Sequence, residues 1–417
     1  ITKAELDWGL DRLEAVFDEL APRPRPRRVS VGTISQEADA AADSGPRERS
    51  PTLLLCAPDH FEVSYRINPW MQPEAWAGDA EVLAANAREG WRKLREAYLR
   101  LGARIETMPP QPGLPDMVFT ANSAVVLDGK AVLGRFLNPE RRGEEACGQR
   151  FFESLRDRGI VRSLHETPEG VFFEGAGDAV WDARRQMFWL GHGQRSSFAA
   201  RDTLRRVFGV DTVSLELASP HFYHLDTCLC VLSGGEILWY PPAFTPASRE
   251  LVKALAADAL IDVGDHDARH FGVNSVSIGR DLVMGHCSDE LRERLQALGY
   301  RVTVVPLEPF WLSGGSAWCL TLRLDQASGS CETKRDEAGI LARDDAGARD
   351  RAGARDSDGT GIRGRDDARI GDRDGSENGE ASGRRNTRRN GRGFLRRRRR
   401  QARKPRDTAG ARVDFRG

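Results

Sequence analysis

Four residues of this chain, Glu174, His224, Asp226 and Cys319, together have the chemistry for covalent catalysis on a cationic substrate. Cys319 follows Ser313-Gly314-Gly315-Ser316-Ala317-Trp318 and opens the apolar stretch Leu320–Leu324. Taken alone, a cysteine at a loop-to-strand junction reads as a small core residue. It becomes a nucleophile candidate only if a histidine and a carboxylate join it. Those partners stand in Phe172-Phe173-Glu174-Gly175-Ala176-Gly177-Asp178 and in Phe222-Tyr223-His224-Leu225-Asp226. Each polar group immediately precedes an apolar strand. A thiolate is a strong nucleophile. A histidine can protonate a leaving amine and then activate water. Two carboxylates match the forked donors of a planar guanidinium. Glu174 and Asp178, flanking Gly-Ala-Gly, also suit a turn, and His224 also suits a satisfied structural histidine.

Further candidates occupy comparable places. Asp116–Ser123, with Asn122, leads into an apolar strand. Arg135 and Arg195 follow strands at expected loop tips, where a guanidinium can grip a substrate carboxylate with two bonds. A solvated surface role suits either arginine equally.

The elements that must position these residues repeat. A unit of two strands, an amphipathic helix and a closing strand is expected four times, starting at 124, 178, 227 and 274. The expected helices cover 144–158, 197–208, 246–258 and 289–299. A fifth unit would combine the strand after Cys319 with strands at 52–56 and 103–107 and a helix over 82–101. Ala87, Trp91, Leu94, Tyr98 and Leu101 keep the rhythm of one helical face, and Gly102 suits its stop. Ser288 suits the cap of the helix at 289. Five such units closing head to tail make an α/β, pseudo-symmetric five-unit propeller. Its corresponding strand ends would converge, bringing together residues as far apart in sequence as Glu174 and Cys319.

Outside residues 51–328 the sequence changes character. Residues 4–20 carry a helical apolar pattern, and residues 21–50, with Pro-Arg-Pro-Arg-Pro, read as a disordered linker. From 329 to 417 Asp, Arg, Gly and Ala recur with too few apolar residues to offset chain entropy, predicting a disordered tail. Residues 331–417 hold 25 Lys/Arg and 16 Asp/Glu, a net of +9, leaving 37 and 46, a net of −9, before them. The acidic body gives no reason to expect nucleic-acid binding. Weak non-specific binding by the basic tail is the one exception, and the tail also fits sequence with no function. The 7 cysteines are scattered without a CxxC pair, so neither a disulfide framework nor a metal site is expected. No apolar run reaches membrane-spanning length, and no signal segment stands out. A cytoplasmic protein is expected, with an oligomer open.

Phe173–Asp178, His224-Leu225-Asp226-Thr227 and Gly314–Leu322 resemble the signatures of the guanidine-modifying, or pentein, superfamily. Its members include arginine deiminases, dimethylarginine dimethylaminohydrolases and amidinotransferases. The resemblance covers about residues 52–325 and implies the five-unit α/β propeller already counted. It implies Cys319 as nucleophile, His224 as general acid/base, and Glu174 with Asp226 around the guanidinium. Arg135 and Arg195 are implied carboxylate binders, with Asp178 beside the site. The implied reaction passes through a covalent thiouronium and needs no metal or organic cofactor. Arg66-Ile67-Asn68-Pro69-Trp70-Met71 and Val118–Asn122 are similar to the arginine dihydrolase group, which takes arginine to ornithine, carbon dioxide and two ammonia. That similarity brings Asn68 and Asn122 into the expected substrate site. Ordinary deiminases carry Asp where Asn122 stands. The alternatives are dimethylarginine hydrolysis to citrulline and dimethylamine, plain arginine deimination, amidino transfer, and an inactive binding scaffold. The chain departs from the dihydrolase group after the cysteine strand, where longer members continue into further domains.

Overall fold

The computed structural model describes residues 50–329. The helix expected over 4–20, nearly all of the linker and the tail from 331 lie outside them. The first unit to begin in the described chain contains β1 (Thr52–Cys56), helix α1 (Ala80–Arg100) and β2 (Arg104–Met108). The second has β3 (Ala124–Leu127), β4 (Lys130–Leu133), α2 (Gly143–Asp157) and β5 (Ser163–His165). The third has β6 (Ala179–Asp182), β7 (Met187–His192), α3 (Ala200–Phe208) and β8 (Asp211–Glu216). The fourth has β9 (Leu229–Val231), β10 (Ile237–Trp239), α4 (Pro246–Ala256) and β11 (Leu260–Asp262). The fifth has β12 (Val276–Ile278), β13 (Asp281–Met284), α5 (Asp289–Ala297) and β14 (Arg301–Val304). The last strand, β15 (Leu322–Arg323), returns to pair antiparallel with β1, with Leu54 opposite Leu322. The result is five three-stranded sheets, the pseudo-symmetric propeller expected from the sequence.

One rule generates every sheet. The first two strands pair antiparallel, the helix crosses over, and the third strand pairs parallel with the middle one. In the second unit, for example, Val125 faces Val132 and Ala131 faces Leu164. Burial falls from the first strand to the third. β3 and β6 are buried at every position, β5 is half-buried throughout, and β14 is mostly exposed. First strands therefore lie innermost. Their continuous apolar sequence, such as Ala124-Val125-Val126-Leu127, is what a strand covered on both faces requires.

Local chemistry sets the helix starts. The Ser288 hydroxyl accepts the Leu291 N–H at 3.2 Å, and the Thr245 hydroxyl accepts the Ser248 N–H at 3.4 Å. A cap of this kind contributes about 1 kcal/mol. The helix expected at 197 begins at Ala200, because Ser197 first uses its carbonyl to turn the chain onto the Ala200 N–H. Two innermost strands also begin later than expected. Gly175–Asp178 forms a helical turn before β6, and Leu225–Thr227 forms a 3-10 turn before β9. The two turns are tied by the Leu225 N–H, which donates to Asp178 Oδ1 at 3.1 Å. Cross-unit hydrogen bonds thus displace strand geometry where the polar residues gather.

Three hydrophobic clusters fill the interior. Trp318 packs against all three, and its indole N–H donates to the Ala176 carbonyl at 3.0 Å. The residue beside Cys319 is therefore where the separate cores meet. Among the described residues, no helix is long and apolar enough to cross a membrane.

Candidate active site

The segments leading into the five innermost strands carry Asn122, Glu174, His224, Asn274 and Cys319. Each stands two to five residues ahead of its strand, so the repeat itself assembles them.

Glu174 is fully buried and holds one end of the group. Its Oε2 accepts from His224 Nε2 at 2.7 Å and from Arg195 Nη1 at 3.1 Å, and Arg141 Nη1 lies 3.8 Å away. The Leu137 N–H reaches Oε1 at 3.4 Å. Burial pushes this carboxyl up, but Arg195, His224 and Arg141 outweigh it and hold it well below the usual carboxylate range. Glu174 is therefore ionised, and its acceptor capacity fixes His224 Nε2 as a donor. The His224 ring packs on Tyr223, with centroids 4.7 Å apart. Gly177 stands nearby, where a side chain would run into the Asn122 amide and touch the imidazole.

Cys319 forms the other end and is 2 % exposed. Its thiol donates to Asp226 Oδ2 at 3.1 Å, and Asn274 Nδ2 donates to the sulfur at 3.1 Å. The Asn274 amide oxygen accepts the backbone N–H groups of Ser316 and Cys319 at 3.1 and 3.2 Å. One amide thus sets both the sulfur and the turn that carries it. Gly314 has φ +90°, and a side chain at Gly315 would strike the Phe119 ring, so both positions require glycine. Asp226 Oδ1 is buried with no hydrogen-bond partner among the described residues. Burial pushes the Asp226 carboxyl up to about 8, although the Cys319 and Asn274 bonds pull the other way. Burial and then the Asp226 charge push the Cys319 thiol well above its ordinary value.

The remaining expected residues divide. Asp178 is buried, with Oδ2 accepting from Ser196 at 2.6 Å, and burial raises it to about 6. Asn68 braces a loop, donating to the Ser313 carbonyl at 3.0 Å and accepting from the Trp70 N–H at 2.9 Å. Asn122 accepts from Arg141 Nη1 at 2.8 Å and donates to the Glu174 carbonyl at 3.4 Å. Arg195 does not sit at an open loop tip. It is buried between Glu174, the Ile67 carbonyl and the Tyr223 ring, the last 4.6 Å from its guanidinium carbon. Arg135 is half-buried on a surface cleft, and its side chain makes no hydrogen bond or ion pair with a described residue. Its backbone instead bridges to Phe173.

The arginine that joins Arg195 in the cluster is Arg141, six residues on from Arg135. It is 3 % exposed, pairs with Glu144 at 2.8 Å and donates to Asn122 and the Asp116 carbonyl. The sequence gives no periodic signal for it, since it lies in a short 3-10 turn. Asn274 was also missed, although the repeat could have found it. It leads into β12 as Glu174 leads into β6.

The family model described as N,N dimethylarginine dimethylhydrolase, eukaryotic, matches residues 57–325. The chain belongs to this family. Its members are hydrolases acting on guanidino groups within the pentein superfamily. The bifunctional arginine dihydrolase/ornithine cyclodeaminase ArgZ of Synechocystis is 38% identical over 275 residues, 66% of this chain and 38% of ArgZ. The chain thus spans well under half the length of that relative. The N(G),N(G)-dimethylarginine dimethylaminohydrolase of Mycobacterium tuberculosis is 37% identical over 288 residues, 68% of this chain and 90% of that one. Among solved structures, a cysteine-to-serine variant of the ArgZ N-terminal domain bound to substrate has a TM-score of 0.60 at 37% identity. It covers 67% of this chain and 99% of that one.

Proposed function

We propose that this family member hydrolyses the guanidino group of arginine, and that it carries the reaction through citrulline to ornithine, carbon dioxide and two ammonia. The observation that carries the reading is Asp226. One of its oxygens touches the Cys319 sulfur and the other is a buried acceptor without a donor among the described residues. A substrate guanidinium supplies both the N–H and the positive charge that this carboxylate lacks.

The charge of the substrate activates the nucleophile. A cation beside Asp226 and Cys319 favours the ionised forms of both, so the thiol gives up its proton to His224 as substrate seats. The thiolate attacks the guanidinium carbon and forms a C–S bond. His224, held by Glu174, gives its proton to the departing nitrogen, and ammonia leaves a thiouronium. His224 then takes a proton from water, the hydroxide adds to the same carbon, and the C–S bond breaks to release citrulline. A second attack on the ureido carbon, with a second water, yields ornithine, ammonia and carbon dioxide. Arg195 and Arg141 are the buried cations available to the substrate carboxylate, and Asn68 orders the loop beside Arg195.

Asn122 is the residue proposed to allow the second cycle. As a neutral amide it tolerates a ureido group, whereas Asp there would favour charged guanidinium and release citrulline. Asn122→Asp is therefore expected to stop the reaction at citrulline, and ornithine formed at an unchanged rate would refute this.

The other reading is dimethylarginine hydrolysis, favoured by the relative that this chain spans over 90% of its length. Product analysis separates the two. Arginine and dimethylarginine are supplied in turn, and ammonia, citrulline, ornithine and dimethylamine are assayed. Ornithine with ammonia supports the dihydrolase, citrulline alone supports the deiminase, and dimethylamine supports the dimethylargininase. Absence of turnover on either substrate would sink the proposal. The catalytic unit is assigned to residues 51–328, so deleting 331–417 is expected to leave kcat unchanged.

A further inference from the structure

Three of the chain's 8 histidines stand together away from His224. His266 and His270 are one helical turn apart, His266 within the short helix Asp265–Arg269 and His270 just past its end. His286 follows β13 in the chain. Ring centroids are 4.5 Å apart for His266 and His270, 5.1 Å for His266 and His286, and 4.9 Å for His270 and His286. One potential ligand atom from each lies within 4.8 Å of the others. A tetrahedral zinc-class ion holds imidazole nitrogens about 3.4 Å apart, given metal–nitrogen bonds of about 2.05 Å. Small ring rotations close that difference.

The surroundings suit a ligand set. The His270 Nδ1–H donates to the His266 carbonyl at 2.7 Å, which leaves Nε2 with its lone pair. A ligating histidine is commonly fixed by a backbone carbonyl in this way. Asp267 Oδ1 lies 3.3 Å from His286 Nε2, and both Asp267 oxygens are held by Ser288, at 2.7 and 2.6 Å. That carboxylate lies beside the imidazole, whose Nε2 is buried without a hydrogen-bond partner among the described residues. Asp267 is the carboxylate in contact with the trio.

We propose that His266, His270 and His286 form a site for a divalent transition metal ion of the zinc class, with water at the fourth position. The site is distinct from the Cys319 centre but adjoins its supports. His270 is four residues before Asn274, and Gly285, next to His286, packs so closely on Ser316 that a side chain there would collide with it. A bound ion would tie together the two stretches that flank Asn274 and Ser316.

Equilibrium dialysis of the full, reduced chain against Zn2+ tests this, using wild type, H266A, H286A and C319S. Wild type and C319S should hold one ion with equal affinity, and each histidine variant should weaken it by at least about tenfold. Zn2+ should also raise the thermal midpoint of wild type but not of H266A, which alters an exposed position. Co2+ bound to the C319S chain should show the visible bands of a four-coordinate nitrogen site without a thiolate charge-transfer band. Affinity unchanged in H266A and H286A, loss of the ion in C319S, or a thiolate band would overturn the proposal. The Co2+ spectrum decides even if a histidine variant fails to fold.

Discussion

Two buried carboxylates, 52 residues apart in sequence, sit in opposite electrostatic conditions. Glu174 faces Arg195, Arg141 and His224, and it is held ionised. Asp226 faces a thiol and an amide, has an oxygen without a donor among the described residues, and is pushed up to about 8. Burial acts on both in the same direction, so the difference comes from the cations. At Glu174 the protein supplies them. At Asp226 none of the described residues does, and we propose that a guanidinium brings the missing charge. Both carboxylates were expected around the substrate. We propose that Glu174, bonded to His224 at 2.7 Å, also orients that imidazole, while Asp226, bonded to the Cys319 sulfur at 3.1 Å, serves substrate and nucleophile.

The largest test removes the sulfur on the Asp226 side. Cys319→Ser should abolish turnover while arginine binding, followed by calorimetry, stays largely intact, and a surviving rate would sink the assignment. Next, Glu174→Gln should lower kcat by about a hundredfold or more, because His224 loses the charge that orients its proton. A loss confined to KM would instead mean that Glu174 binds substrate, breaking the division of roles. Asn274→Ala should have a smaller effect, about tenfold in kcat, through release of the sulfur and the Ser316–Cys319 turn. Alkylation of Cys319 should change with it, whereas an unchanged rate of both would demote Asn274 to packing.

The smallest effect concerns stability. Asp226 keeps its proton in the folded state up to about pH 8, whereas an unfolded Asp loses it near 4. Its contribution therefore falls as pH rises through that window, by about 1.4 kcal/mol per pH unit at most. Glu174, depressed rather than raised, contributes stability above the unfolded carboxylate range and loses it only in strong acid. Asp226→Asn should thus raise the thermal midpoint relative to wild type, by more at pH 8 than at pH 5. An equal offset at both would show that Asp226 is ionised throughout.

The units were legible because their causes are local. Apolar runs such as Ala124–Leu127 and the Ser288 cap act within a few residues. Glu174, His224, Asp226 and Cys319 could be singled out because each precedes such a run. The partners could not be read as readily. Arg141 stands in a 3-10 turn among surface-like charges, and its burial depends on Glu144, Asn122 and Asp116 meeting it. Arg195 looked like a loop tip because sequence does not reveal that Tyr223 and the Ile67 carbonyl close over it. Asn274 obeyed the repeat and was overlooked because an amide carries less chemical suggestion than a thiol. The histidine trio joins a helical turn to a strand exit, and no spacing rule links His270 to His286.

The closing strand has a consequence for biosynthesis. β15 completes the first sheet from the far end of the described chain, and Cys319 lies just before it. During vectorial synthesis from the N-terminus, β1 emerges early and its edge waits for a partner made about 270 residues later. Until that partner leaves the ribosome, the nascent chain has neither its proposed nucleophile nor a closed ring. The proposed nucleophile and the closing strand arrive together, so a chain cut short before them is expected to be inactive.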